Sequence, residues 1–190
     1  MTFRTAFASA TLVLALALPS ARADNGAPRE PPQAVTLDMD KDGKMDLATL
    51  TVSGEGSVEL RIFMAVSSGT PDASRKPDII KHDIAGASFN WLESNGDGSL
   101  VVKFGCGGWS NDTVTALAII HRGGEFLMAR YALDWDTRNG IGSCEVDFFM
   151  GEGVMTQGID GEVTKRFKKK FGPLKLADWS DEMQPEECKF

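Results

Sequence analysis

Apolar and polar residues alternate along this chain in short runs, and those runs predict β-strands. Ala34-Val35-Thr36-Leu37 and Leu47-Ala48-Thr49-Leu50-Thr51-Val52 are apolar and β-branched. Residues 57–66 open with strict alternation, as a strand with one buried face requires. Residues 87–92 and 99–104 flank Asn95-Gly96-Asp97-Gly98, a hairpin signal. The clearest hairpin spans residues 113–134, with its arms meeting at Gly123-Gly124. Glycines accept the left-handed dihedrals of a tight turn. Residues 143–150 predict another strand, followed by a turn at Gly151-Glu152-Gly153. Residues 67–77 read as a polar loop, and 78–84 carry an ambiguous pattern compatible with a short strand. No long helical period competes. The expected fold is mainly β: a single antiparallel sheet or sandwich-like domain with little helix.

The chain ends divide differently. Arg4 gives a positive start, residues 6–18 an apolar stretch, and Ala21-Arg22-Ala23 a small-x-small cleavage site, so residues 1–23 read as a signal peptide. That stretch is too short to span a bilayer comfortably. Residues 24–32, with three prolines, predict a disordered lead-in. The β-domain is assigned to 33–176 and an acidic tail to 177–190. The expected product is exported, to a periplasm first and to the medium as the alternative, with no membrane insertion once the signal is removed.

Charge narrows the partners. The chain carries a net charge of −7, and losing Arg4 and Arg22 with the signal makes it −9. This balance argues against nucleic acid or an anionic membrane as the main partner. It is compatible with a metal cation or with a basic protein partner, whose identity the sequence does not name. The one basic cluster is Lys165, Arg166, Lys168, Lys169 and Lys170, read as a solvated face.

Three cysteines in an oxidising compartment predict one bridge and one spare thiol. Cys106 and Cys144 each border a strand-like run and are paired on that ground, leaving Cys188 unassigned. Closing such a loop contributes roughly 4 kcal/mol in the chain-entropy description.

The densest chemistry lies in Asp38-Met39-Asp40-Lys41-Asp42-Gly43-Lys44-Met45-Asp46. Four carboxylates drawn together repel one another, each pair by about 1 kcal/mol in water and several times more near a protein surface. A hard divalent cation removes the conflict, and calcium suits a flexible all-oxygen site. The candidate ligands are the side chains of Asp38, Asp40, Asp42 and Asp46 with the backbone carbonyl of Lys44. Thr49 stands where a complete EF-hand places a bidentate Glu, and the flanking runs are strands rather than helices.

Asp38-x-Asp40-x-Asp42-Gly43-Lys44-x-Asp46-Leu47-Ala48 resembles the calcium loop of FG-GAP and VCBS-type repeats, which build integrin-like propellers. The likeness covers about thirty residues and occurs once, whereas a propeller needs several blades. It therefore implies the loop and its ligands, not the propeller. A longer likeness is to single-domain exported bacterial proteins of unassigned function, through residues 117–131, Asp134-Trp135-Asp136 and residues 143–151. It implies a β-fold and export, and no activity.

No catalytic constellation emerges. His82 and His121 have no zinc spacing with a cysteine, and no serine occupies a nucleophile elbow. Paired carboxylates such as Asp134 and Asp136, which would share one strand face, could serve a carboxylate-based cell-wall hydrolase. The expected function is thus a non-catalytic, calcium-binding β-domain that acts as a binding module. The alternative is an inhibitor or immunity protein for a basic envelope enzyme such as a lysozyme.

Overall fold

A computed structural model describes residues 34–52, 57–66, 71–85, 89–106, 111–138, 140–158 and 163–189. The signal peptide and lead-in expected over residues 1–32 lie outside these. β1 (Ala34–Leu37), β2 (Asp46–Val52), β3 (Val58–Phe63) and β4 (Ile79–Ala85) form a four-stranded antiparallel sheet in chain order. A seven-stranded antiparallel sheet follows, also in chain order: β5 (Phe89–Ser94), β6 (Leu100–Cys106), β7 (Asn111–Arg122), β8 (Glu125–Thr137), β9 (Gly140–Asp147), β10 (Glu152–Gly158) and β11 (Val163–Lys168). Every connection in the larger sheet is too short for a crossover and so joins antiparallel neighbours, whereas residues 64–78 join β3 to β4 as a longer loop. The mainly β, antiparallel fold expected from the pattern is present, and the ambiguous 78–84 segment supplies β4.

Both sheets turn their apolar positions toward one cluster. Leu50, Leu60 and Ile62 from the smaller sheet share it with Leu92, Leu117, Leu133 and Val146 from the larger. Each such side chain contributes about 1.5–3 kcal/mol by leaving water. The β7–β8 hairpin turns at Gly123 and Gly124, with φ of 63° and 82°, and pairs Arg122 with Glu125. Those left-handed dihedrals match the twist of the flanking strands.

Alternation on β8 changes parity midway. Met128 is buried, yet so are Tyr131, Leu133 and Trp135. The pairing with β7 shifts between Ala118 and Ile119, leaving Ala129 as the extra residue of a bulge. Beyond it the strand leaves β9: Met128 N–H donates to Leu174 O at 2.8 Å, and Phe148 N–H to Ala129 O at 3.0 Å.

The turn expected at residues 151–153 falls earlier, at 148–151. Asp147 causes this by accepting the N–H groups of Phe149 and Met150 at 3.0 and 2.9 Å. Gly151, at φ 64°, completes the reversal, so Glu152 and Gly153 already belong to β10.

The segment set apart as an acidic tail is part of the core. Three single-turn 3-10 helices, Leu176–Asp178, Asp181–Met183 and Glu186–Cys188, carry the chain back across the larger sheet. Leu176, Trp179 and Cys188 are buried, with the Trp179 ring 6.1 Å from Tyr131 and 6.4 Å from Phe148. The disulfide joins Cys144 to Cys188, with Cα atoms 5.5 Å apart. This corrects the expected Cys106–Cys144 pair: Cys106 ends β6 as an exposed free thiol, whereas Cys144 points into the core where the tail arrives.

Candidate metal centre

The acidic loop is held at its base by strand pairing. Leu37 and Asp46 are the last partners of the β1–β2 register, so residues 38–45 must reverse the chain between them. Lys41 and Gly43 do so with positive φ values of 62° and 83°. Met39 is buried and pins the loop to the core.

Carboxylates then organise the backbone. Asp42 N–H donates to Asp38 Oδ1 and to Asp40 Oδ1, both at 3.1 Å. Gly43 N–H donates to Asp38 Oδ2 at 3.0 Å, and Lys44 N–H to Asp42 Oδ1 at 2.8 Å. Short acidic side chains capture nearby N–H groups in this manner, which is why Asp favours turns. The result brings one carboxylate oxygen from each of Asp38, Asp40 and Asp42 within 4.8 Å of one another.

Asp46 has a different place. It is 1 % exposed, Oδ2 accepts Met39 N–H at 2.8 Å, and Oδ1 accepts Ala65 N–H at 2.8 Å. Burial pushes its pKa up, against the lowering by the Ala65 and Met39 N–H groups, and the charges of Asp40 and Asp38 add to the rise. Asp46 therefore underpins the loop, tying its two ends and the end of β3, and stands outside the trio of clustered oxygens.

Lys44 enters through its ammonium. Its Nζ lies 2.5 Å from Asp42 Oδ2, and this hydrogen bond is the main reason the Asp42 carboxyl is held below the usual range. The sequence reading assigned Lys44 a role through its carbonyl, and a pattern of residue types carries no information about such a local counter-charge. A divalent ion gaining both oxygens of Asp42 would have to displace it.

A neighbouring turn also borders the loop. The β5–β6 connection brings Gly98, at φ 87°, so close that a Cβ there would lie 2.9 Å from the Asp38 carbonyl oxygen. Thr36, Asp38, Lys41, Asn95 and Asp97 line a shallow cavity of about 380 Å³ between the two. Asp97 is already engaged: it accepts Ser99 N–H at 2.9 Å and Ser99 O–H at 2.6 Å, and these bonds lower its pKa.

The donor set fits a hydrated hard cation. Three carboxylates open to solvent supply the charge, and calcium accepts waters and carbonyls as remaining ligands. The other candidate groups are dispersed. Asp134 and Asp136 are exposed on β8. His82 Nδ1 lies 2.6 Å from Glu59 Oε2 on the smaller sheet, and His121 packs on Phe126, 4.9 Å between ring centres, on the larger. No helix among the described residues is long and apolar enough to cross a membrane. No protein-family model, curated protein or solved structure matches the chain.

Proposed function

We propose that this chain is an exported, non-catalytic β-domain whose Asp38–Asp46 loop takes one calcium ion, and that it acts by binding another molecule. The observation supporting this reading is the convergence of Asp38, Asp40 and Asp42, three like charges held together at the exposed end of a strand pair. Calcium would neutralise them and fix the β1–β2 connection, and Asp46 beneath would hold the loop ready for it. The single FG-GAP or VCBS-like loop fits this structural use of the ion. The binding role carries over from the sequence, in which the histidines, cysteines and serines form no recognised catalytic motif. Calcium titration by calorimetry tests the metal assignment: one ion per chain is expected, and Asp40→Asn with Asp42→Asn should abolish the heat. A titration with no saturable heat in the unaltered protein would remove the assignment.

A further inference from the structure

We infer that the free edge of β11 is a docking site for an acidic, extended segment of a partner protein, which adds to the larger sheet as a further strand. This rests on the binding-module reading and names the partner's chemistry. β11 terminates the seven-stranded sheet and, among the described residues, pairs only with β10. The polarity of that edge follows from one hydrogen bond. Lys169 N–H donates to Gly151 O at 2.8 Å, and the β10–β11 register from Lys168 to Val163 runs without a shift. Successive residues of a strand direct their N–H and C=O groups to opposite sides. The groups of Val163, Lys165 and Phe167 therefore face β10, and those of Thr164, Arg166 and Lys168 face away from it.

An unpaired row of backbone donors and acceptors is a ready template for another strand. Its side chains select the occupant. Lys165 and Arg166 are exposed and make no ion pair among the described residues; Lys170, just beyond the strand, makes none either. Lys168 is paired with Glu152 at 2.5 Å, and Lys169 with Glu187 at 3.3 Å, while Glu145 and Asp147 line the same cavity as Arg166 without an ion pair to it. Lys165 and Arg166 on the strand, with Lys170 just past it, give this end of a chain with net charge −7 a basic character opposite to its overall sign. A second β11 from another copy would set lysine against lysine, so self-pairing is disfavoured. An extended segment carrying alternate Glu or Asp residues satisfies the backbone row and sets its acids on the sheet face of Arg166, which is the opposite face from Lys165.

The test is fluorescence anisotropy of a labelled alternating Thr–Glu peptide titrated with the full chain, alongside its Thr–Lys counterpart. Saturable binding of the acidic probe alone is expected, weakening as salt rises. Thr164→Pro removes one outward N–H without changing charge, and an edge strand tolerates proline. It should weaken binding by about tenfold, as should Arg166→Glu. Equal binding by Thr164→Pro would show attraction without strand addition and overturn the inference. So would the absence of saturable binding, concentration-dependent self-association lost in Thr164→Pro, or binding to phosphatidylglycerol vesicles in place of the peptide. The calcium-induced shift in melting temperature, read on the same samples, separates failure of the edge from failure of the loop.

Discussion

Asp46 Oδ1 accepts the N–H of Ala65 at 2.8 Å, so the acidic loop is fastened to the end of β3 as well as to its own strands. Its second oxygen holds Met39 N–H at 2.8 Å. Asp46→Ala would leave the buried Met39 N–H and the half-buried Ala65 N–H without this partner. A buried donor left unsatisfied costs about 1–3 kcal/mol, so a loss of about 3 kcal/mol is expected, with or without calcium. Asp40→Asn, on the exposed rim, should leave calcium-free stability nearly unchanged and act only on the response to the ion. Denaturant melts of both variants in chelator check the distinction.

The Cys144–Cys188 bridge closes 44 residues of chain and clamps the Trp179 segment over the larger sheet. Cys188→Ser should lower stability by about 4 kcal/mol on the chain-entropy description. Cys106→Ser, at an exposed free thiol, should change it by less than about 0.5 kcal/mol. Thiol titration of the native protein should count one reactive group, and none in the Cys106→Ser variant.

Three glycines of the larger sheet each face an aromatic partner across the ladder: Gly105 and Phe89, Gly142 and Trp135, Gly153 and Phe167. A Cβ on Gly142 would lie 2.2 Å from the Trp135 ring and 2.5 Å from the Thr156 carbonyl oxygen, and neither buried ring nor backbone can retreat. At Gly153 the nearest atoms belong to the end of the Phe167 ring, on an edge strand, 2.1 Å away. Gly142→Ala should therefore cost about 3 kcal/mol and Gly153→Ala about 1 kcal/mol, an order checked by urea melts.

Tyr131 is the sole tyrosine, and burial pushes its pKa from 10.0 up to about 12, against hydrogen bonds with Thr115 and Gln184 that lower it. Below pH 10 both folded and unfolded chains keep the phenol proton. Between 10.0 and about 12 the unfolded chain releases it and the folded chain does not, so stability falls as pH rises across that window. The full loss is about 3 kcal/mol. Near-ultraviolet tyrosinate absorbance should show a midpoint close to 10 in denaturant and close to 12, or a cooperative unfolding step before it, in the native protein.

Strand pattern and turn glycines made much of this fold legible. Gly123-Gly124 announces its hairpin because few other residues take those dihedrals. The Asp38, Asp40 and Asp42 convergence was equally readable, because alternation and a following glycine constrain a loop locally. What escaped depends on distant parts of the chain. Gly153 looks like a turn glycine in sequence, yet it is a strand residue emptied for Phe167. The Ala129 bulge leaves no mark in composition. The tail hides Trp179 and Cys188 among acids, so its burial and its bridge to Cys144 depend on the position of β9, which lies far away in sequence. Asp46 reads as a fourth ligand by spacing, whereas Ala65, nineteen residues further on, recruits it as a hydrogen-bond acceptor.

Thermal unfolding of the protein in millimolar calcium and in chelator bears most directly on the metal-loop account. A melting temperature several degrees higher with calcium, by about 2–4 °C per kcal/mol of binding energy, is predicted, and Asp40→Asn with Asp42→Asn should erase the difference. Identical curves in calcium and chelator for the unaltered protein would contradict it.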